Sequence, residues 1–193
     1  GVEQITEDSV IVGGVSYPVD CIIYASGYGS GDKHTDRMGF DIRGRDGLSL
    51  DDAWAGGPAT LHGMSARGFP NLLSIHLLQS GIAINFVHVL GEQARHAAWI
   101  IAQCLETGIA EIEPSEAAQE GWFHTLLSKL GSQAMFFAEC TPGYNNGEGV
   151  MDPSAIRMIP YFGPTLDFVK ILEDWRSEGS LAGMELKTET AAG

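Results

Sequence analysis

At 193 residues and 44% hydrophobic content, the chain is long enough to bury roughly 70% of its unfolded surface in one sizeable core. Its net charge of −14, from 11 Lys plus Arg against 25 Asp plus Glu, excludes nucleic acid or an anionic membrane as the main partner, because both would be repelled. No apolar run approaches the roughly 20 residues of a membrane span, and the opening GVEQITEDSV has no basic region followed by an apolar stretch, so it does not read as a signal peptide.

Residues 2–12 and 15–24 read as two strands joined by a Gly13-Gly14 turn, a short-loop hairpin signal. The second ends in the apolar run CIIYA before Gly27, the pattern of a strand buried on both faces. Residues 29–47, rich in glycine and charge, read as an exposed connection with a short strand near 40–43. A helical turn at 50–54 precedes the Gly56-Gly57-Pro58 break. The segment 60–72 (TLHGMSARGFPNL) reads as a loop feeding a short strand at 71–77.

The strongest helix runs over 86–106, with Asn85 as N-cap and Gly108 as stop. Phe86, Leu90, Ala94, Ala97, Ile101, Cys104 and Leu105 recur on one face, and His88, Glu92, Arg95 and Gln103 fall on others. A second helix starts after Pro114 and runs to about Leu130. An irregular stretch follows over 138–164, and a loop of that length inside a compact domain is functional or disordered. A last helix over 165–178 aligns Phe168, Ile171, Leu172 and Trp175. From Lys187 onward the chain is polar and reads as a disordered tail.

The chemistry-bearing motifs are sparse. Gly27, Gly29 and Gly31 are spaced like the start of a dinucleotide fingerprint, but Asp32 and the residues after it do not complete GxGxxG. Gly63-Met64-Ser65 lacks the second glycine of a nucleophile elbow, since Arg67 stands there. The six histidines form no metal-ligand spacing and read as structural or surface groups, so no metal site is expected. Cys21, Cys104 and Cys140 form neither a disulfide framework nor a CxxC pair. They read as buried, inert thiols of a reducing cytoplasm. Glu111, Glu113, Glu116 and Glu120 read as a solvated face around a helix start.

Ordered sequence blocks carry a family resemblance. DCIIYASGY resembles the D-x-I-I-x-A-T-G-F segment of flavoprotein monooxygenases, with Ser26 for Thr and Tyr28 for Phe. DIRGRDGLSLDDAWAGGPATLHGMSARGFPNLL, QSGIAINF, ECTPGYNNGEG and GPTLDFVKILEDWRSEGSLAGMEL resemble, in order, the carboxyl-terminal blocks of Baeyer-Villiger-type flavin monooxygenases. Leu77-Leu78 departs from a Gly-Pro found in many relatives, and Tyr144-Asn145-Asn146-Gly147 departs from Tyr-Tyr-Asn-Asn.

The resemblance implies an α/β fold: the carboxyl-terminal part of a two-dinucleotide-domain flavoprotein. Residues 1–24 would be the last strands of the NADPH domain, 25–186 the second half of the FAD domain with substrate-site loops, and 187–193 the tail. It implies FAD and NADPH as cofactors of the whole protein, held in part by Ser26, Gly27, Gln79, Ser80, Gly81, Ile82 and Asn85. Tyr144, Asn145 and Asn146 would lie on the substrate loop. The implied reaction uses O2 and a peroxyflavin to convert a ketone to an ester or lactone. The catalytic arginine is expected upstream, in a part of the protein that this chain lacks, and neither Arg67 nor Arg95 takes its place. With so few basic residues, groups that bind the NADPH phosphates are also expected elsewhere. Two alternatives remain: a flavin monooxygenase that oxygenates nitrogen or sulfur, and a non-catalytic split-off binding module. The first shares the cofactors; the second would pair with a separate subunit.

Overall fold

The structure, a computed structural model, describes residues 2–25, 35, 38–131, 133–135 and 153–188. It opens with an antiparallel meander of β1 (Gln4–Ile5), β2 (Ser9–Val12) and β3 (Val15–Pro18). The β2–β3 turn needs φ > 0 at both central residues, and Gly13 (58°) and Gly14 (74°) supply it. Glu3 fastens that turn from β1's side by accepting from both glycine N–H groups, at 2.9 and 3.2 Å. Hydrogen bonds from Ser9 and Thr6 to the Asp8 carboxylate close the other turn and hold its pKa below the usual carboxylate value.

The first of the two expected strands is thus itself a hairpin, and the second stops at Pro18. The CIIYA run has no strand partner among the described residues. Ile23 is 85% and Tyr24 76% exposed, and Cys21 is exposed rather than buried. A run patterned for burial on both faces needs covering layers, and the described residues provide none.

Near 40–43 a single antiparallel bridge, Arg43 to Ser49, replaces the expected strand. The helical turn forms as α1 (Leu50–Ala53), whose Leu50 packs with Ala66 and Phe69. The expected strand at 71–77 is absent. Asn71 sits at φ 62°, a left-handed conformation that interrupts extended chain. Its backbone N–H donates to Ile112 O at 2.9 Å, its Oδ1 accepts from Ile112 N at 3.0 Å, and its Nδ2 donates to Ala110 O at 2.9 Å. One amide side chain thereby does the work of a short stretch of strand pairing.

Helix α2 (Phe86–Thr107) has 22 residues and spans about 33 Å, ending at Gly108 in the left-handed region (φ 68°). It leads into β4 (Ile109–Pro114), then α3 (Glu116–Ser128), capped by Ser115 Oγ accepting from Ala118 N at 3.2 Å. After α4 (Pro153–Arg157) and α5 (Thr165–Glu178), β5 (Met184–Thr188) returns antiparallel to β4. Lys187 and Thr188 therefore complete a strand rather than begin a tail; 189–193 lie outside the described residues.

The main core joins Val89 of α2, Trp122 and Leu126 of α3, Phe168 and Leu172 of α5, and Leu61, Ile159 and Tyr161. A second cluster joins Ile100, Ile112, Trp175 and Leu181. The buried stripe of α2 is Val89, Gln93, His96, Ala97 and Ile100, with Glu92 beside it. The expected apolar face is rotated away from this stripe: Phe86, Ile101 and Leu105 are 50%, 52% and 79% exposed. Two polar residues face inward because each finds a partner, Gln93 at Ser80 Oγ (2.9 Å) and His96 at Arg176 (3.4 Å). No helix among the described residues is long and apolar enough to cross a membrane.

Candidate functional site

The segment 79–87 passes from the most buried part of the molecule to its surface. Gln79 is fully buried at φ 52°, a strained conformation for a residue with a Cβ. Its Oε1 accepts from Thr60 N (3.0 Å) and Thr60 Oγ1 (2.6 Å). Its Nε2 donates to Pro58 O (2.8 Å) and Arg157 O (2.7 Å), and its carbonyl accepts from Trp122 Nε1 (2.9 Å). Every hydrogen-bonding position of that side-chain amide is used.

Ser80 is also fully buried, with its hydroxyl accepting from Gln93 Nε2 and its carbonyl accepting from Tyr161 N at 2.8 Å. Gly81 forms a parallel bridge with Tyr161, and a Cβ there would lie 2.5 Å from the Phe168 ring. From the other side Gly63, at φ 73°, comes so close that its Cβ would lie 2.8 Å from the carbonyl oxygens of Leu78 and Gln79. Close packing on both sides requires glycine at these two positions.

Beyond Gly81 the chain emerges. Thr165 Oγ1 donates to Ile82 O at 2.8 Å, after which Ile82 is 44%, Ile84 107%, Phe86 50% and Val87 65% exposed. Asn85 stands at the N-cap of α2, but its side chain makes no capping bond, and the first turn holds no acidic residue. Among the described residues, the partial positive charge of this helix start is therefore not offset by a side-chain cap.

Beneath α2 lies an aromatic cluster. His62 meets Trp122, His96 and Trp175 edge-on with ring centroids 5.2, 5.4 and 5.7 Å apart. Burial lowers the His62 pKa to about 4. Burial, helped by His62 and Arg176, lowers that of His96 to about 3. Both rings are neutral at pH 7.

Of the residues assigned to a site from sequence, Gln79, Ser80 and Gly81 form the buried base of this segment, and Ile82 and Asn85 its exposed end. Ser26, Gly27, Tyr144, Asn145 and Asn146 lie outside the described residues. Sequence reasoning missed Thr60, Gln93, Trp122 and Arg157. No local pattern marks them as partners of this segment: Gln93 is polar and counts as a surface residue of α2, and the others meet the segment through long-range contacts.

The arginines that sequence kept out of catalysis are engaged. Arg67 binds Glu185 (2.5 Å) and Pro114 O, and Arg95 binds Glu92 (3.0 Å). The acidic group is not simply a solvated face. Glu113 is buried against Arg45 and Gly68 N, Glu111 pairs with Arg45 and Lys187, and Glu120 pairs with Arg157. A shallow groove of about 380 Å³ between 42–45 and 69–72 contains none of the predicted site residues.

The segment thus presents a long helix from a rigid, buried turn. No family model matches the chain. It is 42% identical over 191 residues to pentalenolactone D synthase of Streptomyces exfoliatus, covering 97% of this chain and 32% of that protein. It is 40% identical over 179 residues to a Baeyer-Villiger monooxygenase of Streptomyces coelicolor, covering 92% and 29%. Among solved structures it is similar to the polycyclic ketone monooxygenase of Thermothelomyces thermophila (TM-score 0.75, 32% identity, 97% of this chain and 31% of that one). It is also similar to NADP+-bound cyclohexanone monooxygenase of Rhodococcus sp. Phi1 (TM-score 0.73, 25% identity, 97% and 34%).

The fold is that of a carboxyl-terminal portion of a two-dinucleotide-domain flavoprotein. The chain is a homologue of the carboxyl-terminal portion of Baeyer-Villiger-type flavin monooxygenases and spans about a third of the length of the curated relatives it matches.

Proposed function

We propose that this chain is the carboxyl-terminal part of a cytoplasmic, FAD- and NADPH-dependent monooxygenase that converts a ketone to an ester or lactone. The balanced reaction is ketone + O2 + NADPH + H⁺ → ester + NADP⁺ + H2O. One observation carries the reading: the uncapped start of α2, held at the surface by the buried 79–81 turn, lies in a chain that aligns almost end to end with monooxygenases of this type.

The residues fit a flavin. Exposed Ile82, Ile84 and Phe86 offer apolar surface to a planar ring, and the N–H groups at the start of α2 favour negative charge beside it. FAD, when bound, supplies the redox and oxygen-activating chemistry. The chain's own contribution is to orient the ring edge through 82–86, to exclude water with the same apolar residues, and to offset charge with backbone dipoles. Ser26 and Gly27 belong to the same cofactor surface in this reading, and Tyr144, Asn145 and Asn146 to the substrate side. Residues 1–24 belong to the NADPH domain and 25–186 to the FAD domain. The arginine and both glycine fingerprints come from an upstream part of the same protein.

The protein carrying this chain at its carboxyl end is expected to purify with stoichiometric FAD, oxidise NADPH faster with a ketone, and place one atom of ¹⁸O2 in an ester. The chain alone is expected to do none of these. Oxygenation of an amine or sulfide without any ester would move the reading to heteroatom chemistry. Ketone-dependent NADPH oxidation by the isolated chain would overturn the division of labour described here.

A further inference from the structure

We infer that Gln79 is a positioning residue for the flavin, acting through the 80–86 segment rather than touching the cofactor; this rests on the monooxygenase reading above. The amide of Gln79 is fully buried and joins three separate stretches of chain: Pro58 and Thr60 ahead of the 61–65 turn, Arg157 at the end of α4, and through its backbone carbonyl Trp122 of α3. Its backbone is held at φ 52°, where glycine would be the easier choice. The side chain is therefore what the position requires.

Seven residues later α2 begins, and a second amide, Gln93, fastens that helix back to Ser80. The start of α2 is consequently anchored at both ends of a short path, by Gln79 to the body of the molecule and by Gln93 to the same turn. Arg157 extends the linkage: its carbonyl accepts from Gln79, its guanidinium binds Glu120 at 2.8 and 3.0 Å, and it lies over Phe123 at 4.3 Å. Loss of the Gln79 donors would free the 80–86 segment from α4 while leaving the exposed residues themselves unchanged.

The test uses the full-length protein and the variant Gln79→Glu, which keeps acceptors for Thr60 but, when ionised, has no donor for Pro58 O and Arg157 O. The protonated form regains one donor. The wild type holds FAD and couples NADPH oxidation to ester formation. The variant is expected to keep FAD and ketone KM while its ester yield per NADPH falls about tenfold at pH 8, the scale of one or two lost buried hydrogen bonds. Hydrogen peroxide, from NADPH + H⁺ + O2 → NADP⁺ + H2O2, makes up the difference. The visible circular dichroism of the flavin shifts, and coupling recovers toward pH 6 relative to wild type.

Should Gln79→Glu not fold, Thr60→Val removes one accepted bond and is expected to move coupling and the flavin spectrum in the same direction by a smaller factor. Unchanged coupling, flavin spectrum and pH profile, with only a lower melting temperature, overturn the inference and leave the monooxygenase reading intact. A wild-type protein that holds no FAD overturns both.

Discussion

Single side chains set the geometry of the candidate site, and glycines set its tolerances. Gly81→Ala would drive a methyl to 2.5 Å from the Phe168 ring inside the main core. It is expected to cost about 1–3 kcal/mol, read as a lower urea midpoint with an unchanged m-value. The histidine pair makes a second prediction. The pKa values of His62 and His96 fall to about 4 and about 3 in the folded protein from 6.5. The unfolded chain therefore binds more protons between those limits, and stability is full above pH 6.5 and lost as pH falls. Two such groups remove about 2–4 kcal/mol between pH 7 and pH 5. Because the Arg176 guanidinium donates to His96 Nδ1, the ring proton is assigned to Nε2. His96→Phe fills the site without a titrating group, and its stability is expected to fall about half as steeply over that range; an identical slope would show that His96 does not contribute to the acid loss.

At the scale of elements, helix lengths and the buried face of α5 were legible, and the buried face of α2 was not. The bounds of α2 follow from periodicity with Gly108 as stop, and α3 and α5 fall within two residues of their expected ends. The buried side of α2 did not follow, because a hydrophobicity count sets Gln93 and His96 outside while Ser80 and Arg176 draw them in. Asn71 is the parallel case for strands. Its side chain holds β4 by two bonds while its backbone leaves extended geometry. Asn71→Ala is expected to destabilise by about 2 kcal/mol, combining lost hydrogen bonds with left-handed strain. Asn71→Gly relieves the strain and is expected to cost less; chemical denaturation of the two variants checks the order.

Over the whole molecule, exposed apolar side chains concentrate where the described residues offer no partner: Ile22, Ile23 and Tyr24 after the meander, and Ile82, Ile84, Phe86 and Val87 at the start of α2. Runs of exposed apolar side chains like these fit an interaction face. The isolated chain is expected to enhance the fluorescence of a hydrophobic dye and to sediment as species larger than its 20.7 kDa. Adding the upstream part proposed above is expected to reverse both. A monodisperse, dye-silent chain would show that the face is covered within this chain.

Sequence alone determined the three long helices, the Gly13-Gly14 turn, the lack of complete glycine fingerprints and the family resemblance, but not α4, which forms inside a stretch read as irregular. Each of these depends on local spacing or on ordered residue identities. The tertiary structure decided which face of α2 is buried, that 71–77 is not a strand, that CIIYA lies open, and that Gln79 and Gln93 brace the start of α2. Those outcomes depend on partners tens of residues away, such as Thr60, Arg157 and Trp122 for Gln79. A buried polar group is stable only when such partners converge on it, and convergence is a property of the folded chain.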